Sequence, residues 1–232
     1  MKPNSASEGI SMFLDRAEAM LLDFDGVIAD SEPFFRISWN RALEPWGHSI
    51  GEGDYWKYWT SMGEGLEGEI GRKGLTSVDP ETAYRRQKSA YREIVESGSI
   101  PLFPGAGQLL ESLAEGDRWG GRPFCIASNT PAGTVRRILS NGGCTVPEVI
   151  GGEGLRKKPA PDIFLEAASR LGCSPGATIV LEDSWKGVSA AEKGGFITVL
   201  VLNRYNRDLG ISSDFSIDGL EPLIGLLTRV VK

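Results

Sequence analysis

The sequence predicts an α/β fold: a parallel β-sheet with helices on both faces, interrupted after its first strand by a helical insertion. Three observations carry this. Residues 20–24 (MLLDF) form a short apolar run of strand length. The second half of the chain alternates strand-like runs with helical segments, the pattern of a parallel sheet covered on both sides. Between these two regions, residues 33 to about 100 are helical and polar in pattern and contain no strand to pair with the rest.

In order, residues 20–24 are the first strand, and "SEP" (31–33) is a proline-stiffened hinge. The insertion follows, with the aromatic, then Gly/Glu-rich, "YWKYWTSMGEGLEGEIGRKG" and the helical "ETAYRRQKSAYREIVESG". "PLFPG" (101–105) is the returning hinge. Then come the helix "GAGQLLESLAEG", the strand "PFCIAS", and the helix "PAGTVRRILSNGG", with Pro131 at its start and glycines past its end. The strand "EVIGG", the helix "PDIFLEAASRLG", the strand "TIVLED", the helix "WKGVSAAEKGG", the strand "FITVLV" and a last helix "LEPLIGLLTRVV" complete the chain. This divides the chain into a core of residues 1–32 and 102–232 and an inserted unit of residues 33–101.

The 232 residues are 41% apolar, enough to bury a core and against wholesale disorder. A net charge of −6 disfavours a nucleic-acid module, which needs a basic face. An anionic substrate would therefore need local cationic help. Cys125, Cys144 and Cys173 are odd in number and widely spaced, so they suggest neither a disulfide framework nor a zinc knuckle. The first twenty residues carry no secretory apolar stretch, and no run approaches membrane-span length. These features lead us to expect a soluble, cytoplasmic protein with no nucleic-acid or membrane partner.

Ligands of open parallel sheets bind at the carboxyl ends of the strands. Asp23 and Asp25 end the first strand, Ser128 and Asn129 end "FCIA", and Glu182 and Asp183 end "TIVL". If these strands are neighbours, four carboxylates converge, and they would repel or protonate unless a cation joined them. An all-oxygen set with no nearby His or Cys selects Mg²⁺ over zinc. Lys158, in "RKKPAPDIF", and the start of the helix after Ser128–Thr130 supply the cationic side of an anion site. A metal, a lysine, a hydroxyl and a helix start make a phosphate site. An aspartate facing a phosphate can attack it, and a second carboxylate can move the protons.

"DFDGVIADS", "SNT", "KKPAPDIF" and "LEDSWKGVSAA" together resemble the four ordered motifs of the haloacid dehalogenase superfamily. The subgroup resembled is that of the β-phosphoglucomutase-like phosphatases with a helical cap. The resemblance spans residues 21 to 191. It implies a Rossmann-like core and a four-helix-like cap. It also implies a Mg²⁺-dependent phosphatase acting on a small phosphorylated metabolite, such as a sugar phosphate, through an aspartyl-phosphate. By position, Asp23 would be the nucleophile and a metal ligand. Asp25 would be the general acid/base and would bind metal through its backbone carbonyl. Ser128 and Asn129 would bind the phosphoryl group, and Lys158, rather than Lys157, would neutralise it. Asp183 would ligate Mg²⁺, with Glu182 as a further ligand or beside it.

Departures from the pattern select among the family's reactions. Dehalogenases lack the second aspartate, and Asp25 is present. Phosphonoacetaldehyde hydrolases use a cap lysine, but Lys57, Lys73 and Lys88 match no such motif. The mutases of the subgroup carry a histidine where this chain has Phe35, and a phosphate-gripping arginine near Glu64. Both absences favour release to water. A sugar-phosphate mutase and a non-catalytic phosphate-binding protein are the alternatives. Asp30 and Ser31 are expected to cap the first helix of the insertion, His48 to be structural or exposed, Arg72 and Lys73 to form a solvated face, and Tyr55, Trp56, Tyr58 and Trp59 to be core of the insertion.

Overall fold

The computed structural model describes residues 6–116 and 118–228. The chain separates into two units: one built of the residues up to Asp30 and from Pro101 onward, the other of Ser31–Ile100.

The first unit opens with α1 (Ala6–Leu14) and β1 (Ala19–Leu22). The helices of the second unit come next in sequence: α2 (Glu32–Leu43), the single turn α3 (Glu52–Asp54) running into a π-helical segment (Tyr55–Ser61), α4 (Gly65–Lys73) and α5 (Pro80–Glu96). The first unit then resumes with α6 (Ala106–Glu115), β2 (Phe124–Ser128), α7 (Ala132–Asn141), β3 (Glu148–Gly151) and α8 (Asp162–Leu171). It ends with β4 (Thr178–Glu182), α9 (Trp185–Gly194), β5 (Ile197–Leu202), β6 (Phe215–Asp218) and α10 (Glu221–Leu227).

The six strands form one parallel sheet in the order β3-β2-β1-β4-β5-β6. The first strand is therefore central, with Leu21 opposite both Cys125 of β2 and Val180 of β4. All four residues of β1 are buried, as a strand covered on both faces must be. On one face, Ile163, Phe164 and Ala167 of α8 and Ala190 and Ala191 of α9 pack on Leu21, Cys125, Ala127, Ile150 and Val180. The topology explains the site: β1, β2 and β4 are adjacent, so the residues that follow them meet at one edge.

Two elements of this unit, α1 and β6, are additions to those expected. Of the expected last helix, residues 229–231 lie outside the described residues, as do residues 1–5 of the N-terminal segment. No described helix is long and apolar enough to cross a membrane.

The second unit is helical, with α2 packed along α5. Its core contains Trp39, Leu43, Ile50, Tyr55 and Leu66, with Trp56 and Trp59 against it, as expected for these three of the aromatic run; Tyr58, the fourth, is not among these core residues. Asp79 caps α5 by accepting from Thr82 N at 2.9 Å, with Pro80 in the first turn. Phe35 is stacked on Tyr91, ring centroids 4.1 Å apart, so the side chain at the histidine position of the mutases serves packing. His48 Nε2 donates to the buried Glu69 carboxylate at 2.9 Å, a structural role. Arg72 departs from the expected solvated face. Its guanidinium is paired with Glu64 and Glu69 and lies 3.7 Å from the centre of the Tyr58 ring. Glu64 and Arg72 therefore neutralise one another within this unit.

Candidate active site

Asp23 follows β1 directly, and its amide donates to Leu181 O of β4 at 2.9 Å, which fixes the strand end beside its neighbour. Ser128 is the last residue of β2, and Glu182 is the last residue of β4. Lys158 arrives from the loop before α8 and is 8% exposed, whereas Lys157 beside it is exposed. The Lys158 ammonium donates to Asp23 Oδ1 at 2.6 Å, to Glu182 Oε1 at 2.7 Å and to Ala127 O at 3.2 Å. Burial works against its charge, but Asp23 and Glu182 outweigh burial and hold Lys158 protonated.

Glu182 is fully buried and held at both oxygens. Its second oxygen accepts from the amides of Asp183 (2.9 Å) and Ser184 (3.0 Å) and from Ser184 Oγ (3.0 Å). Ser184 also caps α9, accepting from Gly187 N at 3.1 Å. Gly187 is required by this packing, because a Cβ there would fall 1.7 Å from Glu182 Oε1. Gly187→Ala is therefore expected to push Glu182 off Lys158 and lower turnover about 100-fold, as misplacement by an ångström does. Assay of the purified variant, with circular dichroism to confirm folding, checks this.

Asp25 is held differently. Its Oδ2 accepts from Thr130 Oγ1 at 2.7 Å and Ser128 Oγ at 3.1 Å, and Ser128 Oγ in turn accepts from Thr130 N at 3.0 Å. Asn129 Oδ1 accepts from the Lys158 amide at 3.3 Å, tying the loop after β2 to the lysine loop. The amide of Ala132, at the start of α7, donates to Glu153 at 3.0 Å. The chain's own carboxylate thus takes one of the helix-start donors expected to face an anion.

Asp183 meets the turn after β1 closely. Gly26 has φ +85°, a left-handed conformation, and a Cβ there would lie 1.9 Å from Asp183 Oδ2. Asn203 Nδ2 donates to Gly26 O at 3.0 Å and to Asp183 Oδ2 at 3.1 Å. Asp23, Glu182 and Asp183 each bring a carboxylate oxygen within 4.8 Å of the others. Burial, and then the negative charge of Glu182, push the Asp23 carboxyl up to about 8 in spite of Lys158. One lysine does not balance this much negative charge, and an all-oxygen donor set of this kind fits a hard divalent cation such as Mg²⁺.

The structure thus brings Asp23, Lys158 and Glu182 into direct contact, Asp25 onto Ser128, and Asn129 onto the Lys158 amide. Asp30 is a correction: it does not cap the following helix. Its carboxylate accepts from Arg204 at 2.6 Å and from Tyr205 Oη at 2.9 Å, and the helix start at Ser31 has no side-chain cap hydrogen bond. Thr130, Asn203, Asn206 and Glu153 are site residues that sequence reasoning gave no such part. Thr130 alone had a signal, as the third residue of the "SNT" motif.

A family model described as haloacid dehalogenase-like hydrolase matches residues 17–195. The chain is a haloacid dehalogenase-like hydrolase. The hydrolase is similar to the protein CbbY of Rhodobacter capsulatus, 29% identical over 211 residues that span 86% of this chain and 89% of the relative. It is also 32% identical, over 197 residues, to a probable pseudouridine-5'-phosphatase of Drosophila melanogaster, covering 78% of this chain and 80% of the relative. Its fold matches the crystal structure of CbbY from Rhodobacter sphaeroides in complex with phosphate. The TM-score is 0.71 at 23% identity, over 88% of this chain and 94% of the other.

Proposed function

We propose that the hydrolase is a Mg²⁺-dependent phosphomonoesterase acting on a small phosphorylated metabolite of the sugar-phosphate class, through an aspartyl-phosphate on Asp23. The observation that carries the reading is the division of the two aspartates after β1: Asp23 sits on Lys158, and Asp25 on the hydroxyls of Ser128 and Thr130. This division supports Asp23 as the group that attacks and Asp25 as the group that handles protons. Names of relatives as phosphatases agree with this reading.

In the first step a carboxylate oxygen of Asp23 attacks phosphorus, the ester P–O bond breaks, and Asp25 gives its proton to the leaving oxygen. In the second step Asp25 takes a proton from water as it attacks phosphorus. The bond to Asp23 then breaks and phosphate leaves. Lys158 offsets the charge gathered on Asp23 and the phosphoryl oxygens. Ser128 and Asn129 bind that group, and Glu182 anchors Lys158. Asp23, Asp183 and the Asp25 backbone carbonyl would hold Mg²⁺, with Glu182 adjoining. When bound, Mg²⁺ supplies charge stabilisation on the phosphoryl oxygens and removes the repulsion among the carboxylates. The helical unit is assigned the part of a cap that selects among esters.

The test is a panel of sugar phosphates, phosphoglycolate, nucleotides and phosphorylated polyols, assayed for free phosphate with Mg²⁺, with a chelator and after Mg²⁺ is restored. Release is expected to stop with the chelator and to return. β-Glucose 1-phosphate giving the 6-phosphate instead would favour a mutase, and inactivity across the panel a binding protein.

Because Asp23 must lose a proton to take a cation, Mg²⁺ should raise the melting temperature more at pH 9 than at pH 6. The sign follows from a carboxyl pushed up to about 8, which favours the metal-free folded state at low pH and ceases to do so as pH rises through that value. A pH-independent Mg²⁺ shift in a thermal melt would contradict it.

A further inference from the structure

We propose that Asn203 and Asn206, in the loop after β5, are positioning residues that fix Asp183 against the turn after β1 and so set the geometry in which Mg²⁺ is held. This inference rests on the phosphomonoesterase reading and extends it to residues outside the four motifs. Both side chains are buried, at 8% and 4% exposure, where an unbonded amide would be costly. Asn203 Nδ2 joins two chain segments, donating to Gly26 O and to Asp183 Oδ2. Asn206 Nδ2 donates to Asp183 O at 2.7 Å and to Val201 O at 2.8 Å. Asp183 is thus held at side chain and backbone by two amides of one loop.

Those amides are themselves locked. Asn203 Oδ1 accepts from the amides of Tyr205 (2.8 Å) and Asn206 (3.2 Å), and Asn206 Oδ1 accepts from the amide of Asn203 (2.8 Å). Backbone N–H groups facing each Oδ1 leave each Nδ2 turned toward Asp183 and the carbonyls. The chemistry suits the task. A neutral amide orients a carboxylate without cancelling its charge, whereas a lysine or arginine there would compete with the cation. Arg204 and Tyr205, between the two asparagines, bond instead to Asp30, so the same loop provides a comparison residue that faces elsewhere.

The test is Mg²⁺ binding by calorimetry on the full chain without substrate, for wild type, Asn203→Ala, Asn206→Ala, Arg204→Ala and Asp183→Ala. The asparagine variants are expected to bind Mg²⁺ about 10–100-fold more weakly, the usual cost of losing a partner that orients a metal ligand. Arg204→Ala should bind as wild type does, and Asp183→Ala should lose binding. In turnover at subsaturating Mg²⁺, the asparagine variants should recover with added Mg²⁺ while KM for the ester stays near wild type. Wild-type Mg²⁺ affinity in both asparagine variants, with binding lost in Asp183→Ala, would overturn the inference and leave the phosphatase reading standing. Undiminished binding in Asp183→Ala would overturn the metal assignment itself. Should the variants not fold, the Asn203 side-chain amide signals of wild type decide by NMR: slow exchange and a shift on adding Mg²⁺ support the clamp, and free exchange with no shift rejects it.

Discussion

Asp23→Asn is expected to lower turnover at least ~1000-fold, the scale on which removal of a nucleophile acts, while the metal-free protein keeps its melting temperature near neutral pH. The second half of this expectation comes from burial. Asp23 is 6% exposed, and desolvation together with Glu182 raises its carboxyl to about 8. At pH 7 the metal-free protein already holds that group largely neutral, and an amide of the same shape replaces it with little change. The variant should separate from wild type when Mg²⁺ is added, because only the carboxylate gains from the cation. Thermal melts with and without Mg²⁺, beside the turnover assay, check both halves.

Lys158→Met is expected to remove activity on a comparable scale and also to destabilise the fold. The methionine keeps an unbranched apolar stem but deletes the ammonium, which meets Asp23 and Glu182 and lies 4.5 Å from the centre of the Phe164 ring. Breaking one side of a buried ion pair costs about 3–5 kcal/mol. In a chain of this size, that is a fall in melting temperature on the order of 6–20 °C. Asp23 adds to this penalty only where its carboxyl is ionised, above about 8, and losing the lysine pushes that carboxyl higher still, so the loss should be larger at pH 9.5 than at pH 6. Melts of the variant and wild type at the two pH values measure the difference. A loss equal at both would mean that the charge of Asp23 contributes nothing to it.

The sheet and the edge that carries the candidate site were legible in the sequence because both are written in local signals. Apolar runs end in Asp23, Ser128 and Glu182, and a helix start follows soon after each of the last two. Asp25 and Asp183 lie within two residues of such ends, and Lys158 is singled out by the proline after it. The strand β6 was missed because its only buried residue is Ile217, at the sheet's edge, so it shows no apolar run. Asp30 before Ser31 and Pro33 has the local appearance of a helix cap. Its true partners lie more than 170 positions away, at Arg204 and Tyr205, and no local pattern records that distance. The asparagine loop was invisible for the same reason. "NRYN" reads as an ordinary turn until the fold places it beside Asp183 and Gly26.

Arg72 shows the converse case. Two adjacent cations after a Gly/Glu-rich stretch look like a solvated face, yet Glu69 is fully buried and needs a partner, and α4 brings Arg72 to it one turn later. Buried charge, which sequence patterning does not register, decided that side chain's position.

The proposed covalent catalysis by Asp23 is tested most directly by rapid acid quench of wild type and Asp23→Asn with a ³²P-labelled ester and Mg²⁺. Wild type should carry label that survives acid, is released by base and maps by mass spectrometry to Asp23, while Asp23→Asn carries none. Mg²⁺-dependent phosphate release by Asp23→Asn at the wild-type rate, or label on another residue, would contradict it.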